Sequence, residues 1–185
     1  MVALQHFHDR DRNFLFDYPV MVIVSQFTQY QKGNICYITG TEDIPCPVCN
    51  GHLFVHGTCK RKVKNETEQI RILRLRVLEC ENCGHTHREL PEELIPYKRY
   101  GTEAICRICE QPEICAIEPT GRQRILLWLS WLFLYSQNIR RAQSFHGVLL
   151  TEPVGVSLCQ RLKHFVRLVA NAGFWEQHRS VMMSS

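Results

Sequence analysis

Hydrophobic residues alternate with polar ones in the first half of the chain, a pattern that predicts β-strands. Residues 14–30 contain a β-branched run that predicts a strand, and Pro19 restricts that strand to a start or a sheet edge. Residues 53–64 and 70–78 predict the two strands of a hairpin, with the polar residues 65–68 as its turn. In the second strand alternate residues lie on opposite faces, and neither face is purely apolar.

The second half of the chain has helical spacing. Helices are predicted at about 102–110, 122–136 and 157–172. Thr102 and Thr120 are the expected N-caps of the first two helices, and Gly173 is the expected left-handed C-cap of the third. The first two helices have the outline of a helix-turn-helix unit. The second is apolar nearly all round over residues 125–135, which indicates burial, with Trp128 and Trp131 in the core, or contact with a partner subunit.

Two Cys-x-x-Cys pairs flank the predicted hairpin, and their spacing is typical of a zinc ribbon. The four candidate ligands are Cys46, Cys49, Cys80 and Cys83. We expect them to hold one structural Zn²⁺ in a closed tetrahedral site, where Gly51 and Gly84 let the chain reverse around sulfur. The alternative is that they are core cysteines or a redox pair.

These patterns together predict an α+β chain, in which an N-terminal β-rich zinc ribbon is followed by a helical, helix-turn-helix-like region. We assign residues 1–45 to a strand-containing N-terminal segment, 46–90 to the ribbon, 91–101 to a connector and 102–185 to the helical region. The connector is expected to be extended, because Pro91 and Pro96 fix φ and disfavour helix in the preceding residues.

Other potential ligands are less convincing. Cys106 and Cys109 repeat the Cys-x-x-Cys spacing inside a predicted helix, where small buried side chains are a better explanation than a second metal. His85 and His87 follow the second pair at strand spacing, and either could donate a hydrogen bond to a thiolate or replace one.

Composition favours a cytoplasmic protein. Of the 185 residues 45% are hydrophobic, yet no apolar run reaches the eighteen residues that a membrane span requires. The first ten residues lack the apolar stretch of a secretory signal, so the ten cysteines are expected to be thiols in a reducing compartment. A bacterial cytoplasm fits this expectation, and a eukaryotic nucleus is the alternative.

Positive charge is concentrated in the hairpin and in the helical region. The formal net charge is +4, and residues 1–45 are slightly acidic. The hairpin cations could contact the phosphates of double-stranded DNA or form an ordinary solvated surface, and no aromatic residue lies between them, which argues against a single-strand stacking surface. Three polar residues that open the middle helix could touch phosphates or bases, or simply begin a helix. The candidates are Lys60, Arg61, Lys62, Lys64, Arg71, Arg74 and Arg76 on the hairpin, and Arg122, Gln123 and Arg124 on the helix.

The chain lacks the residue patterns of the common enzyme sites. Every aspartate precedes Cys46, which makes a two-metal carboxylate site hard to assemble. There is no phosphate-binding glycine loop, no Gly-x-Ser-x-Gly elbow and no His-Glu-x-x-His helix. The His-x-Glu and Pro-Cys-x-x-Cys elements occur in the wrong order for a zinc deaminase. We therefore expect a protein that is not an enzyme.

Several short motifs carry a family resemblance. They include Cys46-Pro-Val-Cys49, Cys80-Glu-Asn-Cys83-Gly84 and Pro96-Tyr97-Lys98-Arg99-Tyr100, and the likeness extends over about residues 46–180. This pattern resembles an uncharacterised bacterial zinc-ribbon family, known as a domain of unknown function. Its members are similar to DNA-binding, transposase-associated proteins of mobile elements. The resemblance implies a metal-binding, DNA-binding module, although residues 77–79 depart from the arginine-rich sequence expected before the second cysteine pair.

The sequence supports two hypotheses. In the first, the protein is a zinc-dependent DNA-binding protein associated with a mobile element, and its apolar helices form a core or a dimer face. In the second, it is a protein-interaction adaptor: helix 122–136 docks a partner such as a transposase subunit, and the ribbon is only a scaffold. A gel-shift assay with random duplex DNA separates them, because the adaptor gives no shift.

Overall fold

One six-stranded sheet precedes three α-helices in the computed structural model, which describes residues 20–144 and 155–175. A 3₁₀ turn, Pro112–Ile114, lies between the first two helices. No helix in these two ranges is long and apolar enough to cross a membrane. The elements are β1 (Val20–Val24), β2 (Phe27–Lys32), β3 (Ile35–Gly40), β4 (Leu53–Lys64), β5 (Ile70–Cys80), β6 (Thr86–Pro91), α1 (Thr102–Glu110), α2 (Pro119–Ser144) and α3 (Leu158–Asn171).

Strand β5 is the central strand of the sheet and pairs with three other strands. One of its edges pairs with β4 in antiparallel register along nearly the whole strand. Its other edge pairs first with β3, in parallel, and then with β6, in antiparallel register. Strand β2 extends the sheet beyond β3, and β1 extends it beyond β6. The predicted hairpin is therefore part of a larger curled sheet that also contains the strands of residues 20–40.

The strand predictions are largely confirmed. β4 has the predicted bounds, and β5 continues two residues past the predicted end at residue 78. Among the described residues β1 pairs with β6 and lies at an edge of the sheet, one of the two positions that Pro19 allows. The predicted run 14–30 is divided into two strands, because the chain bends at Ser25. There the Ser25 backbone N–H donates a hydrogen bond to the Glu42 carboxylate at 2.5 Å. Residues 14–19 lie outside the described ranges.

The helices also lie where they are predicted, with different caps. α1 has the predicted bounds, but Gly101 is its N-cap. α2 is longer than 122–136 at both ends and begins at Pro119, a residue well suited to a first helical position. α3 begins with a capping box between Ser157 and Gln160, and Gly173 has the left-handed φ of +74° that its C-cap role predicts.

The main core lies between the inner face of the sheet and the helices. Ile23, Leu73 and Leu90 of the sheet belong to the same buried cluster as Trp128 and Leu162 of the helices. The side chain of Asn171 on α3 also bridges β1, where its amide donates to the Ile23 carbonyl and its oxygen accepts from the Ile23 N–H. These contacts fix the helices on one side of the sheet only.

The apolar helix α2 is buried on one side only. Trp128 and Leu132 are buried, whereas Trp131 is 39% exposed, which corrects the expectation that both tryptophans belong to the core. Residues 111–118 separate α1 from α2, and this connection does not by itself establish a helix-turn-helix. That motif, the zinc ribbon and the proposed domain boundaries remain predictions.

Candidate metal centre and basic hairpin

The four predicted cysteine ligands come together at one end of the sheet. The sulfurs of Cys46, Cys49, Cys80 and Cys83 all lie within 4.8 Å of one another. The Sγ–Sγ distance is 3.7 Å between Cys46 and Cys83 and 3.4 Å between Cys49 and Cys80. Four sulfurs around a tetrahedral ion with bonds of about 2.3 Å would be about 3.8 Å apart. The four cysteines could therefore bind a metal ion.

The two cysteine pairs sit on turns of the same construction. The Cys46 carbonyl accepts a hydrogen bond from the Asn50 N–H at 2.8 Å, and the Cys80 carbonyl accepts one from the Gly84 N–H at 3.0 Å. Asn50 and Gly84 both adopt left-handed conformations, with φ of +60° and +68°. Each turn directs its two thiols toward the other turn, which is the geometry that a shared ion requires.

Gly51 has a different role from the one predicted. The residue with left-handed φ in the first turn is Asn50. Asparagine adopts this conformation more readily than most residues, because its short polar side chain can form local hydrogen bonds. At Gly51 a Cβ atom would lie 2.7 Å from the Asn82 side-chain amide of the second turn. Glycine at this position lets the two turns approach each other closely.

Hydrogen bonds from backbone amides lower the pKa of the cysteine thiols, whereas burial raises it. The Val48 N–H points at the Cys46 sulfur from 3.4 Å. Burial outweighs such amides at Cys83 and raises its pKa to about 12. At Cys80 burial also raises the pKa, but the amides of Cys83 and Asn82 and the neighbouring thiols together lower it to about 7. Because metals bind thiolates, the amides that favour the thiolate form of Cys80 also favour metal binding there.

His87 supports this cluster from β6. Its ring is fully buried, and Nε2 lies 3.3 Å from the Cys46 sulfur. It packs at the edge of a small second core in which Val22, Leu53 and Leu78 surround two of the ligands. With its proton on Nε2, the imidazole donates a hydrogen bond to sulfur, which is one of the two roles predicted for it. His85 is exposed.

The structure shows no second metal cluster in residues 20–144 and 155–175, where only the four-cysteine group brings three or more such ligands together. Cys106 is buried in the main core, and Cys109 packs against it. Burial raises the pKa of both thiols, so they remain protonated and behave as small apolar residues.

The seven hairpin cations divide between the two faces of the sheet. Lys60 and Lys62 are exposed on the face that points away from the helices, and Arg74 lies opposite Lys60 on the same face. Arg61 lies on the helix side, where it donates to the carbonyls of Ile95 and Lys98. Burial, with a smaller contribution from Arg88, lowers the pKa of Arg61 to about 10. Arg61 is thus still charged at neutral pH, and it holds the connector against the hairpin.

The other three hairpin cations contact groups within the fold. Arg76 forms a two-pronged ion pair with buried Glu89, at 2.5 and 2.8 Å. Lys64 pairs with Glu68. Arg71 donates to the side chains of Gln29 and Cys36. The ion pairs offset the charges of Lys64 and Arg76, and the contacts of Arg71 occupy one of its terminal nitrogens.

The polar start of α2 has a structural contact as well. Arg122 donates to the carbonyls of Ile108 at 3.2 Å and Cys109 at 3.5 Å, which ties the end of α1 to the start of α2. Gln123 and Arg124 are exposed. They lie on a different element from the hairpin cations.

The comparisons identify one domain. A family model described as a domain of unknown function, DUF6431, matches residues 46–125, and a DUF6431 domain is therefore found in this part of the chain. The match includes the four cysteines, the β4–β5 hairpin, α1 and the start of α2. The searches of curated proteins and of solved structures gave no match. The match contains nothing that links the chain to transposase-associated proteins or to bacteria.

Proposed function

We propose that this is a DNA-binding protein in which one structural Zn²⁺ on Cys46, Cys49, Cys80 and Cys83 fixes the base of the β4–β5 hairpin. The observation that carries the proposal is the four-sulfur cluster, because it joins the turn before β4 to the turn after β5. The hairpin then presents its exposed cations to phosphates.

The chemistry of the ligands favours zinc. Four thiolates in tetrahedral arrangement suit Zn²⁺ or iron, and a closed site of four protein ligands without redox chemistry is typical of structural zinc. Four protein ligands leave no open position for water, so the ion would stabilise the fold and take no part in a reaction. The expectation that the protein is not an enzyme remains a prediction.

The charges of the hairpin favour a polyanion. Lys60 and Lys62 are exposed, and neither has a carboxylate partner among the residues that the structure describes. Within the described residues Arg74 donates to the Thr58 hydroxyl, at 2.7 Å, and to no carboxylate. Cations held close together without counter-charges bind phosphates with release of condensed counterions, so affinity should fall steeply with salt.

Two measurements test this proposal. Elemental analysis of the purified protein should find one zinc per chain. Fluorescence anisotropy with a random duplex should show salt-dependent binding, and the Lys60→Gln/Lys62→Gln variant should reduce the slope of log K against log salt by about 2. The matched control is Arg88→Gln/Arg99→Gln, which removes the same charge from exposed positions outside the outer face of the hairpin. Zinc-free protein, or equal losses in both double variants, would contradict the proposal.

A second candidate function is a protein-interaction adaptor, and the exposed side of α2 supports it. Leu127, Trp131 and Leu134 follow one another at helical spacing and are 60%, 39% and 55% exposed. A partner subunit or a second copy of the chain could cover them. In that case light scattering should detect a dimer or a complex that Leu127→Glu disrupts, and duplex DNA should give no binding.

The association with a mobile element rests on the sequence resemblance alone. Under this proposal a transposase binds either to the complex of this protein with DNA or to the exposed side of α2. Copurification with a transposase encoded beside the protein, and its loss in the Leu127→Glu variant, would support that partner.

A further inference from the structure

The sheet has a second exposed surface, formed by side chains on the side away from the helices. Two rows cross the strands in the order β2, β3, β5, β4, as the pairing registers show. The first row is Tyr30, Tyr37, Arg74 and Lys60, and the second is Lys32, Ile35, Ile72 and Lys62. We call these eight residues the outer sheet face. Each row spans about 14 Å, since neighbouring strands are about 4.8 Å apart.

The aromatic part of the outer sheet face is a stacked tyrosine pair. The ring centroids of Tyr30 and Tyr37 are 4.8 Å apart and the rings are inclined by 11°. Tyr30 is 58% exposed, so the stack lies at the surface and is not part of a core. A stack of two rings with a free outer side is a place where a planar base can extend the stack.

The cations of the outer sheet face lie beside this stack, one of them on β2 and three toward β4. Lys32, Lys60 and Lys62 are exposed at the two ends of the rows. Arg74 lies beside Tyr37, and its single contact to Thr58 uses Nε and leaves both terminal nitrogens available. None of these four has a carboxylate partner in the described part of the chain, unlike Lys64 and Arg76 on the same side of the sheet.

We propose that the outer sheet face binds single-stranded nucleic acid, with bases stacked on Tyr30 and Tyr37 and phosphates on Arg74, Lys60 and Lys62. The phosphate contacts rest on the proposed function, and the base contacts go beyond it. A duplex offers only phosphates to such a surface, because its bases are already paired and stacked. A single strand offers both groups, which matches the combination of rings and cations across four strands.

The tyrosines of the outer sheet face are distant in sequence from the hairpin cations. No aromatic residue lies between the hairpin cations along the chain, which argued against a stacking surface. The parallel pairing of β3 with β5 brings Tyr37 beside Arg74 from 37 positions away in the sequence. The stacking residues thus come from outside the hairpin and from outside the matched domain.

The test uses the full-length, metal-loaded protein and four labelled probes of twelve units: oligothymidylate, oligouridylate, a DNA duplex and an abasic DNA strand. Anisotropy should show tighter binding of a base-containing single strand than of the abasic strand. Tyr30→Ala and Tyr37→Ala should each weaken that binding by about 5- to 100-fold and leave the abasic strand unaffected. Tyr30→Phe should retain the affinity, because stacking needs the ring and not the hydroxyl. Trp131→Ala, an exposed aromatic residue on α2, is the control.

The outcomes separate this inference from the proposed function. If Lys60→Gln/Lys62→Gln abolishes binding but the tyrosine variants bind normally, phosphate contact stands and base stacking is refuted. Equal affinity for the abasic and the base-containing strand also refutes it. If no nucleic acid binds, both proposals fail. Preference for oligothymidylate or for oligouridylate shows which of these two strands binds more tightly, and either result supports the inference. Circular dichroism and zinc content confirm that each variant is folded.

Discussion

Removal of the metal should unfold one end of the protein and leave the rest folded. The structure contains two separate buried clusters, one of 21 residues between the sheet and the helices, and one of five residues next to the cysteine sulfurs. Two of the five are ligands, Cys46 and Cys80. If the four cysteines hold the proposed Zn²⁺, the small cluster depends on that ion and the large cluster does not.

The free energies involved support local unfolding of the cysteine turns. The aliphatic members of the small cluster, Val22, Leu53 and Leu78, stabilise it by about 2 kcal/mol each, or about 6 kcal/mol together. The two cysteine turns contain roughly fourteen residues. Ordering them costs about 1.2 kcal/mol of conformational entropy per residue, or about 17 kcal/mol in total. A structural zinc ion contributes on the order of 10 kcal/mol, which nearly closes the difference. Without the ion the turns cannot remain ordered.

Hydrogen exchange with peptide-level resolution measures this directly. After chelation, amides in residues 46–53 and 80–87 should lose protection, whereas amides of α3 should keep it. Cys46→Ser/Cys49→Ser should reproduce the pattern without chelator, and Cys106→Ser, a cysteine of the large cluster, should not. Unchanged exchange after chelation would refute the metal site. Loss of protection in α3 at the same rate would refute the independence of the two clusters.

Three further substitutions test particular contacts. His87→Phe removes the hydrogen bond to a ligand sulfur and should lower zinc affinity by about 10- to 100-fold in a chelator competition, whereas His85→Phe at an exposed position should not. Arg76→Leu leaves buried Glu89 without its cation and should destabilise by on the order of 3 kcal/mol in urea melts, and adding Glu89→Leu should recover part of this loss. Ser157→Ala removes the cap of α3 and should cost about 1 kcal/mol; no change in the melting midpoint would show that the cap is unimportant.

Local sequence was sufficient for the hairpin strands, for the helices and for the four candidate metal ligands. Alternation predicted β4 and β5, and helical spacing predicted α1 and α3, because each pattern reports the burial of neighbouring positions within one element. The four cysteines could be selected together because a tight turn places two sulfurs on one side, and two such turns flank one hairpin. The strands and helices depend on contacts between residues close in sequence. The metal site could be selected because few other roles explain two Cys-x-x-Cys pairs around one hairpin.

The sequence by itself thus determined where β4, β5, the three helices and the four candidate cysteine ligands lie, whereas β3 and β6 were not predicted. The tertiary structure alone decided which face of the hairpin is covered, so that Arg61 holds the connector while Lys60 and Lys62 remain exposed. It also decided that β3 pairs beside β5, which places Tyr37 next to Arg74. The physical reason is that periodicity specifies two faces for each strand, whereas the neighbour and the register of a strand come from long-range packing of the whole sheet against the helices.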